Sequence, residues 1–297
     1  MSAMALDTVK RGRIDHVLPQ GYLDGFSSPS KKGRLSVFDR DNQRWFEAST
    51  RRIGGIRGFY DYPPGSQPDQ TADQAFARLE AQFPPVRREL VENSFSNWRV
   101  HLDFLLHFAQ MLRTRSELFR QQDVAHSRKQ TMFKVVEVLE RKPSERQPGR
   151  FDETLSVRPF RPVDQREYET LLRNKAITDM RTEIAKGAAW LSERHWCLRF
   201  AVNPTDPVIT TDHPVVVDGR SPTLEEALPD PNTLVFFPVC WQACLIGSMA
   251  KFDKETDAFH SDDLIRLRGI QLKLAQRFVF SPSRVAFGLA AVNAAPF

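Results

Sequence analysis

The first sixty residues alternate short apolar runs with polar punctuation. In "DHVLPQGYLDGF", residues 15–26, Tyr22, Leu23 and Phe26 fall at i, i+1 and i+4. Pro19 suits the first turn of a helix, where its missing N–H costs nothing, so the spacing predicts a short helix from Pro19 to about Phe26. "GRLSVFDRDNQRWFEAS" sets Leu35, Val37 and Trp45 or Phe46 around Asp39-Arg40-Asp41-Asn42, the clearest β-hairpin in the chain. Glycines and prolines over 53–68, with Phe59-Tyr60 among them, read as a loop held down by those rings.

From Asp69 to about Glu92 the period becomes helical, with Phe76, Leu79, Phe83 and Leu90 on one side, and Pro84-Pro85 is expected to break or kink that helix. Asn97 is placed to cap a second helix, Trp98 to Arg120, and a third is predicted over Arg128 to Arg141. "KPSERQPGRFDETLSVRPFRP" reads as the weakest-ordered stretch, followed by a long helix from Val163 to about Leu191.

After His195 the period changes again. "WCLRFAVN", "VITTD", "PVVVDG", "LVFFPVCW" and "ACLIGSM" are short β-branched or aromatic runs separated by Pro, Asp and Gly, the signature of an antiparallel sheet. An amphipathic helix, Ser261 to about Gln276, leads into a last strand, "RFVFSP". Strands and helices are thus segregated, which argues for an α+β fold in which the N-terminal hairpin is free to join the late sheet. Residues 1–13 read as a flexible charged leader and 14–297 as one domain with a helical middle, about 69–191. There is no internal repeat or low-complexity tract.

Composition adds limits more than direction. A chain of 297 residues, 41% hydrophobic with 22 phenylalanines, can bury a large core. The 42 basic and 37 acidic side chains leave a formal charge of +5, which permits an anionic substrate or nucleic acid as partner without marking a nucleic-acid surface. Three cysteines do not make a disulfide framework, and a reducing cytoplasm is the expected setting. No signal segment and no apolar run approaching the roughly 20 residues of a membrane span is present, so no membrane partner is expected. Phosphate-binding G-x-x-x-x-G-K-[ST], dinucleotide G-x-G-x-x-G, hydrolase G-x-S-x-G and zinc H-E-x-x-H patterns are all missing. Cys240-x-x-x-Cys244 has no second Cys/His pair at zinc spacing and reads as core.

Three places carry candidate chemistry. His16 and Gln20 sit at the predicted helix start, where a neutral imidazole suits a general base or ligand, or where both side chains bond orphan backbone groups. On "HFAQMLRTRSE", Leu102, Leu105, Leu106, Ala109 and Leu112 bury one face, while His107, Gln110, Arg113 or Thr114, and Glu117 recur along another, either as a site or as an ordinary solvated stripe. In "PVITTDHPVVV", Asp212 and His213 end an apolar strand, placed to hold a cation or orient a histidine, or to close a turn on their own backbone.

Together these segments resemble the prokaryotic domain of unknown function 4238 family. The resemblance is carried by H-x-x-P-Q-x-Y-L at His16 to Leu23 with Phe26 behind it, by "LSVFDRD", "GFYDY", "HFAQMLRTR" and "VITTDHPVV", and it covers about residues 14 to 285. Thr211-Asp212-His213-Pro214 departs from the family's Ser-Asp-Asn-Pro, so His213 is read as a side-chain bond to the turn while Asp212 matches. The matching polar positions implied by the family are His16, Gln20, Tyr60, Glu80, Gln110, Arg113 and Asp212, and with them His16 and Gln20 are read as facing a polar pocket.

Two functions are compatible with that set. One is a nuclease-like phosphoester hydrolase acting on nucleic acid or a nucleotide. In it Asp212 and Glu80 hold a divalent cation, Mg²⁺ or Mn²⁺, His16 activates water, Arg113 neutralises the phosphoryl oxygens, and Gln20, Gln110 and Tyr60 orient the substrate. The other is a non-catalytic binding or regulatory module, of a bacterial defence or toxin type, in which the same residues form a structural hydrogen-bond network.

Overall fold

In the computed structural model, β1 (Ile14–His16) leads into Pro19, which caps α1 (Gln20–Leu23), and a 3₁₀ turn carries the chain through Asp24–Phe26. The described residues are 14–28, 30–57, 70–116, 119, 121, 135–143, 151–159, 180, 182–203, 205–218 and 230–285. They fall into two compact units, one from residues up to 119 and from 179 onward, the other from 120–178. The leader 1–13 and Tyr60 lie outside the described residues.

The predicted hairpin forms β2 (Arg34–Asp39) and β3 (Arg44–Ser49), with Leu35 opposite Ala48 and Asp39 opposite Arg44. Its turn is held by Asp39, whose carboxylate accepts the N–H groups of Asp41 and Asn42 and the side-chain amide of Asn42. β4 (Gly55–Arg57) returns to pair with β1, His16 opposite Gly55. Gly54, at φ +78°, turns the chain there and its carbonyl accepts the N–H groups of Val17 and Leu18.

α2 (Gln70–Glu92) contains both Pro84 and Pro85, yet the helix is not broken. Tertiary packing outweighs the local cost: Phe83 and Leu90 are fully buried, and Pro84 rests so closely on α1 that a Cβ at Gly21 would lie 2.7 Å from its Cγ. Asn97 does not cap the next helix. Its amide reaches Glu89 Oε1 at 2.8 Å, a 3₁₀ turn occupies Trp98–His101, and α3 begins only at Leu102, running Leu102–Thr114 with Leu105, Leu106, Phe108, Ala109, Met111 and Leu112 buried. The helix expected over Arg128–Arg141 is also corrected. β5 (Val135–Pro143) pairs antiparallel with β6 (Phe151–Pro159), through stretches read as helix and as weakly ordered. The β-branched run Val135, Val136 and Val138 suits a strand, and pairing with a partner that starts eight residues downstream decides what a local helical period could not. This hairpin belongs to the 120–178 unit.

Of the long helix expected over Val163–Leu191, α4 (182–192) is described and 163–179 lie outside the described residues. The late strands are β7 (His195–Phe200), β8 (Thr210–Thr211), β9 (Val216–Asp218), β10 (Leu234–Cys240), β11 (Ala243–Ser248) and β12 (Thr256–Ala258). They are followed by α5 (Ser261–Leu274) and β13 (Phe278–Ser281). Five of them form a sheet in the order β12-β7-β11-β10-β9, antiparallel except for β12 beside β7. A second sheet, β3-β2-β13-β8, joins the N-terminal hairpin to the last strand, as the segregation of elements suggested. The fold is α+β. No helix among the described residues is long and apolar enough to cross a membrane.

The core centres on Tyr22. Its ring packs on Phe26, Phe83, Phe108 and Phe237 with centroids 5.2 to 6.2 Å away, and Phe83 stacks on Phe108 at 4.1 Å. Its hydroxyl donates to Pro238 O at 2.9 Å and bonds Thr210 Oγ1 at 2.8 Å, so the H-x-x-P-Q-x-Y segment is pinned to a strand of each sheet. Tyr22→Phe keeps the ring but leaves two buried oxygens short of a partner. Urea unfolding should show a loss of about 1–3 kcal/mol, and an unchanged midpoint would contradict this account. Cys197, Cys240 and Cys244 are buried and free, as core cysteines are expected to be, and burial pushes the Cys197 and Cys240 thiols up to about 11.

Candidate functional site

His16 ends a strand instead of starting a helix, so its imidazole does not lie on a helix dipole. Its Nε2 is 3.2 Å from the carbonyl of Arg51, and its own carbonyl accepts a hydrogen bond from Arg115 Nη2. The same guanidinium donates from Nη1 to Glu80 Oε1 and lies 5.1 Å over the ring of Phe76. Arg115 is 4% exposed. It is the knot that ties β1 and α2 to the end of α3, and the sequence reading passed over it. Arg115 sits five residues from Gln110, off the i, i+3, i+4 stripe, so only the tertiary path of the chain brings it to Glu80 and His16.

Gln110 and Arg113 are buried on α3 and do not join His16 through any hydrogen bond. Gln110 Nε2 donates to the carbonyl of Glu183 at 3.2 Å, and α4 accepts this close approach because residue 187 is glycine: a Cβ there would overlap the Gln110 amide. Arg113, 9% exposed, packs over Phe119 at 4.9 Å, and burial lowers its pKa to about 10 in spite of the nearby Glu183, so it stays charged at neutral pH. His213 faces it. That imidazole does not bond its own turn, as expected from sequence, but meets Ser116 Oγ at 3.0 Å from Nδ1. Burial, and then the charge of Arg113, push it down to about 3. The turn is closed by Thr211, whose hydroxyl donates to His213 O and accepts its N–H.

Asp212 serves neither its own turn nor His16. Its Oδ1 accepts the N–H of Gln276 at 2.8 Å, and Oδ2 accepts those of Arg277 and Phe278 at 2.6 and 2.8 Å, which fixes the chain entering β13. Burial pushes its carboxyl up to about 6 against these three donors. Glu80 and Asp212 therefore each have defined partners on different elements, Arg115 in one case and the 276–278 backbone in the other. Among the described residues no group of three or more His, Cys, Asp or Glu side chains is arranged to hold a metal ion.

Gln20 is exposed and lines an open depression of about 300 Å³ with Asp24, Lys32, Gly33, Arg34, Ser49, Thr50 and Arg51. A second depression of about 590 Å³ adjoins it through Arg34, Ser49 and Arg51 and adds Arg52, Ala48 and Glu47. The result is a groove along β3 with four cations, Lys32, Arg34, Arg51 and Arg52, and two carboxylates. One of those, Glu47, is already paired with Lys31 at 2.8 Å, which holds its carboxyl below the usual range. The family model described as "Protein of unknown function (DUF4238)" matches residues 15–284. The chain belongs to this family. The DUF4238 match takes in His16, Gln20, Tyr60, Glu80, Gln110, Arg113, Arg115 and Asp212, and also the whole basic groove. No curated protein and no solved structure matches the chain.

Proposed function

We propose that this chain is a non-catalytic binding module for a phosphate-bearing polyanion, with nucleic acid the class that fits, held in the groove along β3 beside Gln20. The observation that carries this reading is the charge of the groove: Lys32, Arg34, Arg51 and Arg52 line two continuous depressions, all four are exposed, and none is ion-paired among the described residues. A row of exposed cations on a rigid hairpin meets successive phosphates, and the energy comes from counterions released. Gln20 adds a neutral donor and acceptor at one end. The hydrolytic route expected from sequence, with Asp212 and Glu80 on Mg²⁺ or Mn²⁺ and His16 activating water, requires those groups to leave the backbone N–H groups, the guanidinium and the carbonyl they now hold.

The test is fluorescence anisotropy with labelled single-stranded and duplex oligonucleotides across a salt series. Arg51→Glu/Arg52→Glu is expected to weaken binding by about tenfold or more and to reduce the slope of log K against log salt by about 2. Binding with an unchanged slope would overturn the groove. Appearance of shortened oligonucleotides when Mg²⁺ or Mn²⁺ is added, lost in Asp212→Asn, would replace the non-catalytic reading with the hydrolytic one.

A further inference from the structure

The chain passes from α2 to α3 through one tight turn, and three side chains of that turn meet. Ser94 and Phe95, at φ +49° and +62°, reverse the chain, with Phe95 and Trp98 buried beneath it. Phe95 N–H donates to Leu90 O at 2.7 Å and Trp98 Nε1 to Thr256 Oγ1 at 3.1 Å, so the turn is fixed from within and from β12. Glu89 comes from the last turn of α2, and Asn97 and His101, four residues apart, come from either end of the 3₁₀ segment.

Glu89 Oε1 lies 2.8 Å from Asn97 Nδ2 and 3.2 Å from His101 Nε2, and those two nitrogens are 3.4 Å apart. No placement of hydrogens satisfies all three sides of this triangle. With a hydrogen on Nε2, the ring and the Asn97 amide face each other as two donors. Without it, the Nε2 lone pair faces a carboxylate oxygen. Asn97 Oδ1 is buried with no hydrogen-bond partner among the described residues, so no bond holds the amide oxygen where it points. Turning the amide over exchanges Oδ1 with Nδ2. Two oxygens and one imidazole nitrogen then direct lone pairs at a common point, and a cation there satisfies all three.

We propose that Glu89, Asn97 and His101 form a binding site for a first-row transition dication of the Zn²⁺ kind. Ligands about 2.0–2.1 Å from such an ion stand about 3–3.3 Å from one another, which is the size of this triangle. Glutamate and histidine are ordinary ligands, and the carboxamide of Asn97 supplies the third. Imidazole favours Zn²⁺ over Mg²⁺ and Ca²⁺, which take oxygen ligands. The Glu89 side chain is 52% exposed and that of His101 15%, so the ion has a path from solvent and water completes its shell. Arg99, between Asn97 and His101 in sequence, is turned away: it pairs with Glu255 at 2.6 Å and lies over the ring of Trp98. A bound ion clips the end of α2 to the segment that starts α3.

Isothermal titration calorimetry of the full chain, stripped with EDTA, against Zn²⁺ tests this, with a melting curve at each end point. Zn²⁺ is expected to bind and to raise the melting temperature, and EDTA to reverse the rise. Glu89→Gln and His101→Gln should each weaken Zn²⁺ by about tenfold or more. Asn97→Asp should tighten it by about tenfold, because a second carboxylate then meets the ion, while the metal-free protein becomes less stable with two carboxylates facing each other. Absence of Zn²⁺ binding would overturn the site. So would binding that Glu89→Gln and His101→Gln leave unchanged, as the exposed His195 and His260 would give, or an Asn97→Asp protein with wild-type affinity. Tighter binding cannot come from misfolding, so Asn97→Asp decides even if the other two variants fail to fold. Failure here leaves the groove reading intact, since oligonucleotide binding is measured on other residues.

Discussion

Arg115→Met is expected to lower the unfolding free energy by about 3 kcal/mol, measured as a shift in urea midpoint at constant slope. Arg115 is nearly inaccessible, and its guanidinium makes charge-assisted hydrogen bonds to Glu80 and to the carbonyl of His16. Each such bond contributes roughly 1.5–3 kcal/mol when removal strands a partner, but the Glu80 side chain is 31% exposed and can recover part of its hydration. The His16 carbonyl and the face of Phe76 lose their donor and their cation outright. Methionine fills much of the volume, so the loss measures the polar bonds more than a cavity. A Glu80→Gln protein should lose less, because the amide oxygen can still accept from Arg115, and the double variant should lose less than the sum. Arg115 is a positioning residue for β1 and thereby for His16 and Gln20. If Arg115→Met instead left the midpoint unmoved while abolishing oligonucleotide binding, the guanidinium would belong to a ligand site and not to the scaffold.

How much of this was legible beforehand depends on the range of the interaction. The Tyr22-Leu23-Phe26 stripe, the Asp39 turn and the apolar strands after His195 announce themselves within a few residues, because each follows from backbone period and turn chemistry. The failures were decided at long range. α2 runs through Pro84 and Pro85 with Pro84 packed on Gly21 of α1, Asn97 is drawn away from its cap by Glu89, and Val135–Pro143 takes strand geometry from a partner beginning at Phe151. The site was partly visible in the same way. His16, Glu80, Gln110, Arg113 and Asp212 all hold defined positions, but the grouping predicted from sequence joined residues that the fold distributes over three places. Arg115 binds the first pair, Ser116 and His213 sit with Arg113, and Asp212 holds the entrance to β13. Arg51 and Arg52 lie in an Arg-rich segment, 51–57, that by sequence fits an anionic substrate, but the groove they line with Lys32 and Arg34 shows only once the chain is folded.

His213 provides the second large effect, a loss of stability on acidification. Burial and the adjacent Arg113 hold its folded pKa near 3, against about 6.5 in the unfolded chain, so the unfolded state takes up a proton that the folded state refuses. The contribution is fully present above about pH 6.5 and is lost as pH falls toward 3, at up to about 1.4 kcal/mol per pH unit. The neighbouring Asp212 works in the opposite sense: its folded pKa, raised to about 6, favours the folded state at low pH and costs stability as pH rises from the ordinary carboxylate range to 6. The two titrations overlap, so the wild-type profile alone would understate either. The informative quantity is the difference between wild type and His213→Asn, which removes the imidazole and leaves Asp212 in both proteins. Asp39, held near 2 by Arg277 and Asn42 against its own burial, titrates mostly below this window and also cancels. Urea unfolding between about pH 7 and 4.5 should show that difference shrinking steadily in wild type's disfavour as the medium is acidified, and levelling above pH 6.5. A difference that stays constant with pH would mean that the folded protein protonates His213 as easily as the unfolded chain does. Burial would then not be what keeps the His213 imidazole neutral near the charge of Arg113.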